Sequence, residues 1–321
     1  MLSGILLAVG IAVTVLIAGY FGFSDIIAAV QNANINYIAL AVLLQAATLV
    51  MLALRLKVIA KPKGNIGIVR AFRVTISGTA MNLLTPVAKI GGEPLKVYLL
   101  KKKFGASESS AIVSIDTMTE IVSSFLAVLL IFFVFIKFLP AALFIYFMVF
   151  FIVAIIFIAF TFKLFTDFSW LNKTTGWFIR KISKYRKVHE MDYARIFHSV
   201  FMDLIRNRRL MVQALSLSFA MKMLEFARMW LVFLALGTVL PPDVVIIIWA
   251  VLLILSMIPW LPGGLGLVEF GGISVFIMFG IQRGVAASGV LIDRFISFWF
   301  ILILGLVIWA MRKEEDRGLD K

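Results

Sequence analysis

The stretch Thr85-Pro86-Val87-Ala88-Lys89-Ile90-Gly91-Gly92-Glu93-Pro94 interrupts a long apolar chain, and Pro262-Gly263-Gly264-Leu265-Gly266-Leu267-Val268-Glu269 interrupts it again. In both, a Glu stands seven positions after a Pro, with a Gly pair between them. Lipid offers no partner for the backbone N–H and C=O groups that such a break releases, so breaks at membrane depth persist only where protein or a water-filled cavity receives those groups. Paired breaks in the two halves of a transporter-like chain are the strongest sequence pointer to a binding site.

Working outward, the remainder of the chain supplies the membrane setting. Of 321 residues, 62% are hydrophobic and 15% charged, and several apolar runs approach the ~20 residues that a bilayer-spanning helix requires. The spans predicted are Leu2 to Phe23, Tyr37 to Leu54, Ser109 to Ile136, Ala141 to Phe160, Met211 to Leu236, Val244 to Ile258, Leu267 to Ile281 and Ser288 to Met311. The first lacks the basic leader of a signal peptide and is longer than a usual signal core, which favours a retained span. The expected fold is an all-α polytopic membrane protein: one transmembrane domain over 1–321, with about eight transmembrane helices plus re-entrant broken helices. The paired breaks raise an inverted-repeat core, although the Gly pair sits late in the first copy and early in the second, so common descent does not follow.

Charge placement orients these spans. Arg55, Lys57, Lys61 and Lys63 follow the second span, Lys101 to Lys103 precede the third, and the basic segment of about 162–209 carries many Lys and Arg, whereas the joints 24–36, 237–243 and 282–287 each carry at most one net charge. By the positive-inside rule both termini are expected on the cytoplasmic side of the cell membrane. This rule also accounts for the formal charge of +14, and no aromatic-basic module for nucleic acid accompanies it. Both ends of the region 64–103 then carry the inside signal, which predicts a re-entrant hairpin whose short second arm starts at Pro94, the first helical position. The N–H groups of such a start favour an anion.

The long inner segment contains Ile196, Phe197, Val200, Phe201, Leu204 and Ile205 at helical spacing against Arg195, Asp203 and Arg206, the pattern of an interfacial amphipathic helix. Trp170, Trp177, Phe178, Ile182 and Tyr185 among basic residues suggest a second surface-lying element. An ordinary basic inner loop is the plainer alternative for both.

Ionisable residues inside spans are costly and mark either a pathway or an ion pair. Asp116 and Glu120, four apart on one helical face with Ser109 and Ser123, would share a proton unless a cation lies between them. Lys222, Glu225 and Arg228 recur every three residues and can pair along one helix. Asp293 and Arg294 start the last span, where they snorkel or pair. In the first break Arg70, Arg73, Lys89 and Lys96 form a polar set with Asn82, Thr85 and Glu93. Glu93 and Glu269 either read a positive group, relay a proton, or cap backbone N–H groups. Glu269 has no basic neighbour in sequence, and Arg228 or Lys222 is its expected partner.

Enzyme chemistry finds little support. Cysteine is absent and both histidines, His189 and His198, fall in the inner segment, so no buried Ser/His pair or His metal cluster is expected. No Walker-type sequence appears. Neither a cofactor nor a metal is expected.

The run Gly91 to Leu100, taken in order with Pro262 to Glu269, resembles the two signatures of the flippase-like family, which contains the transmembrane region of lysylphosphatidylglycerol synthases. The likeness extends over nearly the whole layout: an early hairpin, a long inner segment and a late Pro-Gly-Gly. It implies a bundle that moves a lipid head group between leaflets, with anionic, aminoacylated or polyprenyl-phosphate-linked lipids as cargo. It points to Gly92, Glu93 and Lys96 in the first motif, and to Pro262, Gly263, Gly264 and Glu269 in the second. Full synthases add a soluble aminoacyl-transfer domain after the bundle. This chain runs about ten residues past Met311, so lipid synthesis is not expected of it.

The reading that follows is a membrane lipid translocase with a cavity between the two breaks, lined by Asp116, Glu120, Lys222, Glu225 and Arg228. Its partner would be a membrane phospholipid or polyprenyl-phosphate lipid. The alternatives are an accessory subunit that presents lipid to a membrane enzyme, or a membrane enzyme of unrecognised chemistry.

Overall fold

The computed structural model describes residues 2–85, 91–135, 141–167, 169, 190–258 and 262–318. Pro86 and Lys89 of the first break, and Trp170, Trp177, Phe178, Ile182 and Tyr185 of the inner segment, lie outside the described residues. Among those described, all regular structure is helical: α1 Leu2–Phe21, α2 Phe23–Gln31, α3 Ile35–Ala60, α4 Ile68–Leu84, α5 Gly92–Phe104, α6 Ala106–Phe135, α7 Ala141–Thr166, α8 Glu190–Arg206, α9 Arg208–Ala235, α10 Pro242–Met257, α11 Leu267–Met278, α12 Arg283–Arg294 and α13 Phe300–Gly318. A π-helical turn, Phe295–Trp299, joins α12 to α13 without a break in the rod.

Four helices are long and apolar enough to cross a membrane among the described residues: Ile35–Ala60, Ala106–Phe133, Arg208–Ala235 and Arg283–Met311. A fifth candidate is bent by 89° between Phe21 and Phe23. Shorter apolar helices occupy Phe151–Lys163, Pro242–Ser256 and Leu267–Met278. The expected spans thus recur as helices in the expected order, but α10 and α11, with 16 and 12 residues, reach only about 24 and 18 Å at helical rise.

Local chemistry sets the helix ends. Pro241 and Pro242 open α10, where a missing N–H costs nothing. Lys101, Lys102 and Lys103 fill the last turn of α5 opposite Glu93 in its first, so both ends complement the helix dipole. Gly105, at φ 78°, then stops α5 and allows α6 to begin at once. The first helical residue of α5 is Gly92, two positions before Pro94, so Pro94 lies within the first turn instead of opening it.

The chain divides into two compact units, Met1–Met51 with Thr75–Gly92 and Ala220–Lys321, and Leu52–Val74 with Glu93–Phe219. In the first, Ala41, Val232 and Ile296 form one buried cluster and Leu265, Phe298 and Leu302 another. Phe233 packs on Phe276 with ring centroids 4.2 Å apart. In the second, Leu56, Ile59, Ile66, Leu100, Ile112, Phe201, Leu204 and Leu210 share one core.

That core corrects the interfacial reading of the inner helix. Phe197, Val200, Phe201 and Leu204 are buried against protein, with Phe201 fully so, and α8 packs along α6. Amphipathic periodicity records that one face is apolar; it does not distinguish lipid from a neighbouring helix as what covers that face. Ile196 alone of the six apolar residues points outward, at 45% exposure.

Candidate functional site

In the second unit, a buried charge cluster is centred on Arg55. Arg55 lies near the end of α3 and is 1% exposed. Nε donates to Asp116 Oδ1 at 2.8 Å, and Nη1 donates to Ser218 Oγ at 2.9 Å and to Glu120 Oε2. Asp116 is fully buried and accepts a second charged hydrogen bond from Lys96 Nζ at 3.1 Å. Lys96 also lies 3.9 Å from Glu93, one turn earlier on α5, and Thr117 reaches Glu93 Oε1 at 3.5 Å.

Helix geometry explains why these groups meet. Asp116 and Glu120 are one turn apart and therefore lie one above the other on α6. The planar fork of Arg55 reaches both, a shape that lysine's point charge does not match. Of the two alternatives for this pair, a shared proton or an intervening cation, the second is the one found, and the cation is Arg55. Thr119 and Ser123 turn their hydroxyls back to the carbonyls of Asp116 and Glu120 at 2.8 and 2.9 Å, which keeps that face polar without adding charge.

Among the described residues the cluster brings the carboxylates Glu93, Asp116 and Glu120 together with the cations Arg55 and Lys96. Its base is closed, since the Arg55, Lys96 and Asp116 side chains are at most 6% exposed. Its rim is open: the Glu93 and Glu120 side chains are 27% and 37% exposed. Lys96, one of the candidate binding residues, donates to Asp116 from within this base.

In the first unit the pairs are more nearly closed. Arg228 grips Asp293 through two nitrogens, at 2.9 and 3.2 Å, and donates to the buried Gln45. Lys222 meets both oxygens of Glu225 at 3.3 Å. The internal pairing expected along this helix therefore holds for Lys222 and Glu225, while Arg228 reaches across to α12. Asp293 and Arg294 are both paired: the Arg294 Nε donates to Glu269 Oε1 at 2.6 Å and its Nη2 to the Gly263 carbonyl at 2.8 Å. The partner of Glu269 is thus Arg294, not Arg228 or Lys222.

The second break is tied down by these contacts. Glu269 is fully buried, and its Oε2 accepts the Gly266 N–H at 2.6 Å, closing the start of α11 as an N-terminal cap. Gly263, at φ 59°, leaves no room for a side chain because a Cβ there would stand 2.1 Å from the Phe298 ring. Pro262 and Gly264 complete the same turn. At the first break, Asn82 Oδ1 accepts the Gly92 N–H at 2.7 Å, and Thr85 Oγ1 accepts that of Gly91 at 3.4 Å. A Cβ on Gly92 would lie 2.0 Å from the Gly78 carbonyl oxygen, so α5 starts hard against α4. Arg73 is exposed on α4.

Arg55 and Gln45 were not among the sequence candidates. Arg55 lies in a basic run with Lys57, Lys61 and Lys63, which reads as an inner-face flank. The available signal was period: Arg55 lies seven residues after Thr48 on one face of a largely apolar helix, and both are buried. No group of three or more His, Cys, Asp or Glu suited to a metal occurs among the described residues.

Comparison with known proteins gives a consistent relationship. The sequence profile described as "Lysylphosphatidylglycerol synthase TM region" matches residues 5–305. A "UPF0104 membrane protein" of Methanothermobacter thermautotrophicus is 30% identical over 320 residues, covering 95% of this chain and 94% of that protein. Similar proteins of the same description are 28% identical in Methanocaldococcus jannaschii, covering 98% and 96%, and 25% identical in Pyrococcus horikoshii, covering 95% and 95%.

Proposed function

Because the chain belongs to the lysylphosphatidylglycerol synthase transmembrane-region family of multi-pass membrane proteins, we propose that it is a lipid translocase that moves a head group between the leaflets of the cell membrane. In this reading the chain is a transporter and not an enzyme. It has about eight spans, with both breaks re-entrant and both termini cytoplasmic. The cargo is a membrane lipid with an anionic, aminoacylated or polyprenyl-phosphate-linked head group.

The observation that carries the reading is the cluster around Arg55. A closed base of Arg55, Lys96 and Asp116 sits under a partly open rim of Glu93 and Glu120. Carboxylates at a partly open rim favour a head group bearing an ammonium, such as an aminoacylated lipid, over a bare phosphate. Such a group would meet the rim while the tails stay in the bilayer.

The test is movement. Full-length protein in vesicles should carry a chemically trappable aminoacylated phospholipid from one leaflet to the other, and Glu93→Gln should stop that movement while the protein remains folded. Absence of movement for every phospholipid and polyprenyl-phosphate cargo offered would remove the proposal. A product formed from labelled lipid would favour an enzyme in its place.

A further inference from the structure

The joint 24–36 reads in sequence as a simple connection between spans, yet it contains the helix α2. We infer that α2 lies in the plane of the membrane interface, where the side chains of Phe23, Ile27 and Val30 bed into a lipid leaflet. This surface is independent of the charge cluster and of the direction or cargo of transport.

Three observations combine. First, α1 covers 20 residues without a charge, about 30 Å at helical rise, which is the thickness of the hydrocarbon core. α2 leaves it at 89°. The turn is made at Gly22, at φ 103°, a conformation that side chains other than glycine rarely adopt. A helix at a right angle to a span runs along the membrane face.

Second, the nine residues of α2 divide into three arcs. At 3.6 residues per turn, Phe23, Ile27 and Val30 fall within about 60° of one another, and they are 55%, 46% and 47% exposed. Asp25, Ile26 and Ala29 lie to one side, and this side faces protein: Ile26 and Ala29 are half-buried, and a Cβ on Gly284 of α12 would stand 2.9 Å from that of Asp25. Ser24, Ala28 and Gln31 lie to the other side, exposed and without a large apolar group.

Third, the neighbouring exposed residues suit an interface. Tyr20, 79% exposed, stands at the end of α1, where amphipathic rings gather at head-group level. Asn32, Asn34 and Asn36 follow α2. An apolar arc set between a protein-packed arc and a polar arc is what a helix needs in order to rest on its side against the bundle, with one edge in lipid and one in water.

The chain contains no cysteine, so single labels can be read without background. Phe23→Cys, Ile27→Cys, Val30→Cys, Ser24→Cys, Ala28→Cys and Gln31→Cys, each carrying a nitroxide, would be placed in vesicles of phosphatidylcholine and phosphatidylglycerol. Collision with dissolved oxygen, which concentrates in lipid, would be compared with collision with a water-soluble nickel chelate. Labels at 23, 27 and 30 should favour oxygen and those at 24, 28 and 31 the chelate, so that the logarithm of the oxygen-to-chelate ratio reverses sign around one helical turn. Uniform access of the chelate would overturn the inference by placing α2 in water. Oxygen access that changes steadily from 23 to 31 with no reversal would overturn it too, by making α2 the second half of a broken span.

Discussion

Glu93 and Glu269 stand at the same offset in two similarly spelled breaks, but their surroundings differ in kind. Glu269 is sealed: one oxygen holds the Arg294 guanidinium, the other holds the N–H at the start of its own helix, and no part of the residue meets solvent. Glu93 also sits in the first turn of a short helix, but its side chain is 27% exposed and its charged neighbour, Lys96, lies 3.9 Å away and is claimed more closely by Asp116. A carboxylate whose bonds are all short and internal holds a backbone break in shape. One at the open edge of a charge cluster stands where an incoming head group can reach it. Spelling alone does not separate a structural turn from a binding rim; the burial of each carboxylate does.

The largest effect should come from breaking the ground beneath Glu93. Arg55→Leu leaves Asp116 buried with Lys96 alone and removes the bridge to Glu120. Loss of one partner from a buried pair costs ~3–5 kcal/mol, and here two carboxylates are affected, so the upper end is expected. Unfolding in mixed detergent–lipid micelles, followed by tryptophan fluorescence, measures it. A cost near zero would mean that water already reaches Asp116.

Glu269→Gln sharpens the contrast from the other side. The amide can keep one of the two contacts, but Arg294 loses its counter-charge, and a hydrogen bond to a charged group contributes ~1.5–3 kcal/mol. Stability should fall by about that amount while lipid movement by the folded fraction persists. Glu93→Gln should do the reverse, with less than ~1 kcal/mol of stability lost, because a partly exposed ionic contact contributes little, and with lipid movement abolished. If both variants behave alike in both assays, the two breaks do the same job and the distinction fails.

The apolar runs made most of the architecture legible: seven of the eight expected spans appear as continuous helices, or helices joined through the π turn, and the eighth, the first, as α1 ending just before Gly22. The breaks were equally visible, since Pro and Gly act through the local backbone. Partners were less so. Periodicity along α6 placed Asp116 over Glu120, but the cation that joins them comes from another helix, and Arg55 in a basic run looks like any inner-face flank. Glu269 was assigned to the wrong arginine for the same reason: Arg294 looked like a residue at the water boundary, and only the return of α12 toward the Gly263 turn brings it inside. The apolar face of α8 was legible as a face, while what covers it was not. The sharp turn into α2 depends on one φ angle at Gly22, which the residue type permits but does not require.

The smallest expected effect marks the baseline for all of these. Lys63 and Asp203 meet at 3.0 Å in the second unit, as close as the buried Lys96–Asp116 contact, but their side chains are 24% and 61% exposed. Water competes for both, and holding two long side chains in place costs entropy, so pairs of this type contribute ~0–1 kcal/mol. Lys63→Ala should therefore move the unfolding midpoint little, and less still at high salt, whereas Lys96→Ala, which strips a charged partner from the fully buried Asp116, should move it several-fold more. The two substitutions remove the same charge at nearly the same distance, so their difference isolates burial as the cause. Equal effects would show that the cluster under Glu93 is as wet as the surface, and Glu93 would then lose its distinction from an ordinary exposed carboxylate.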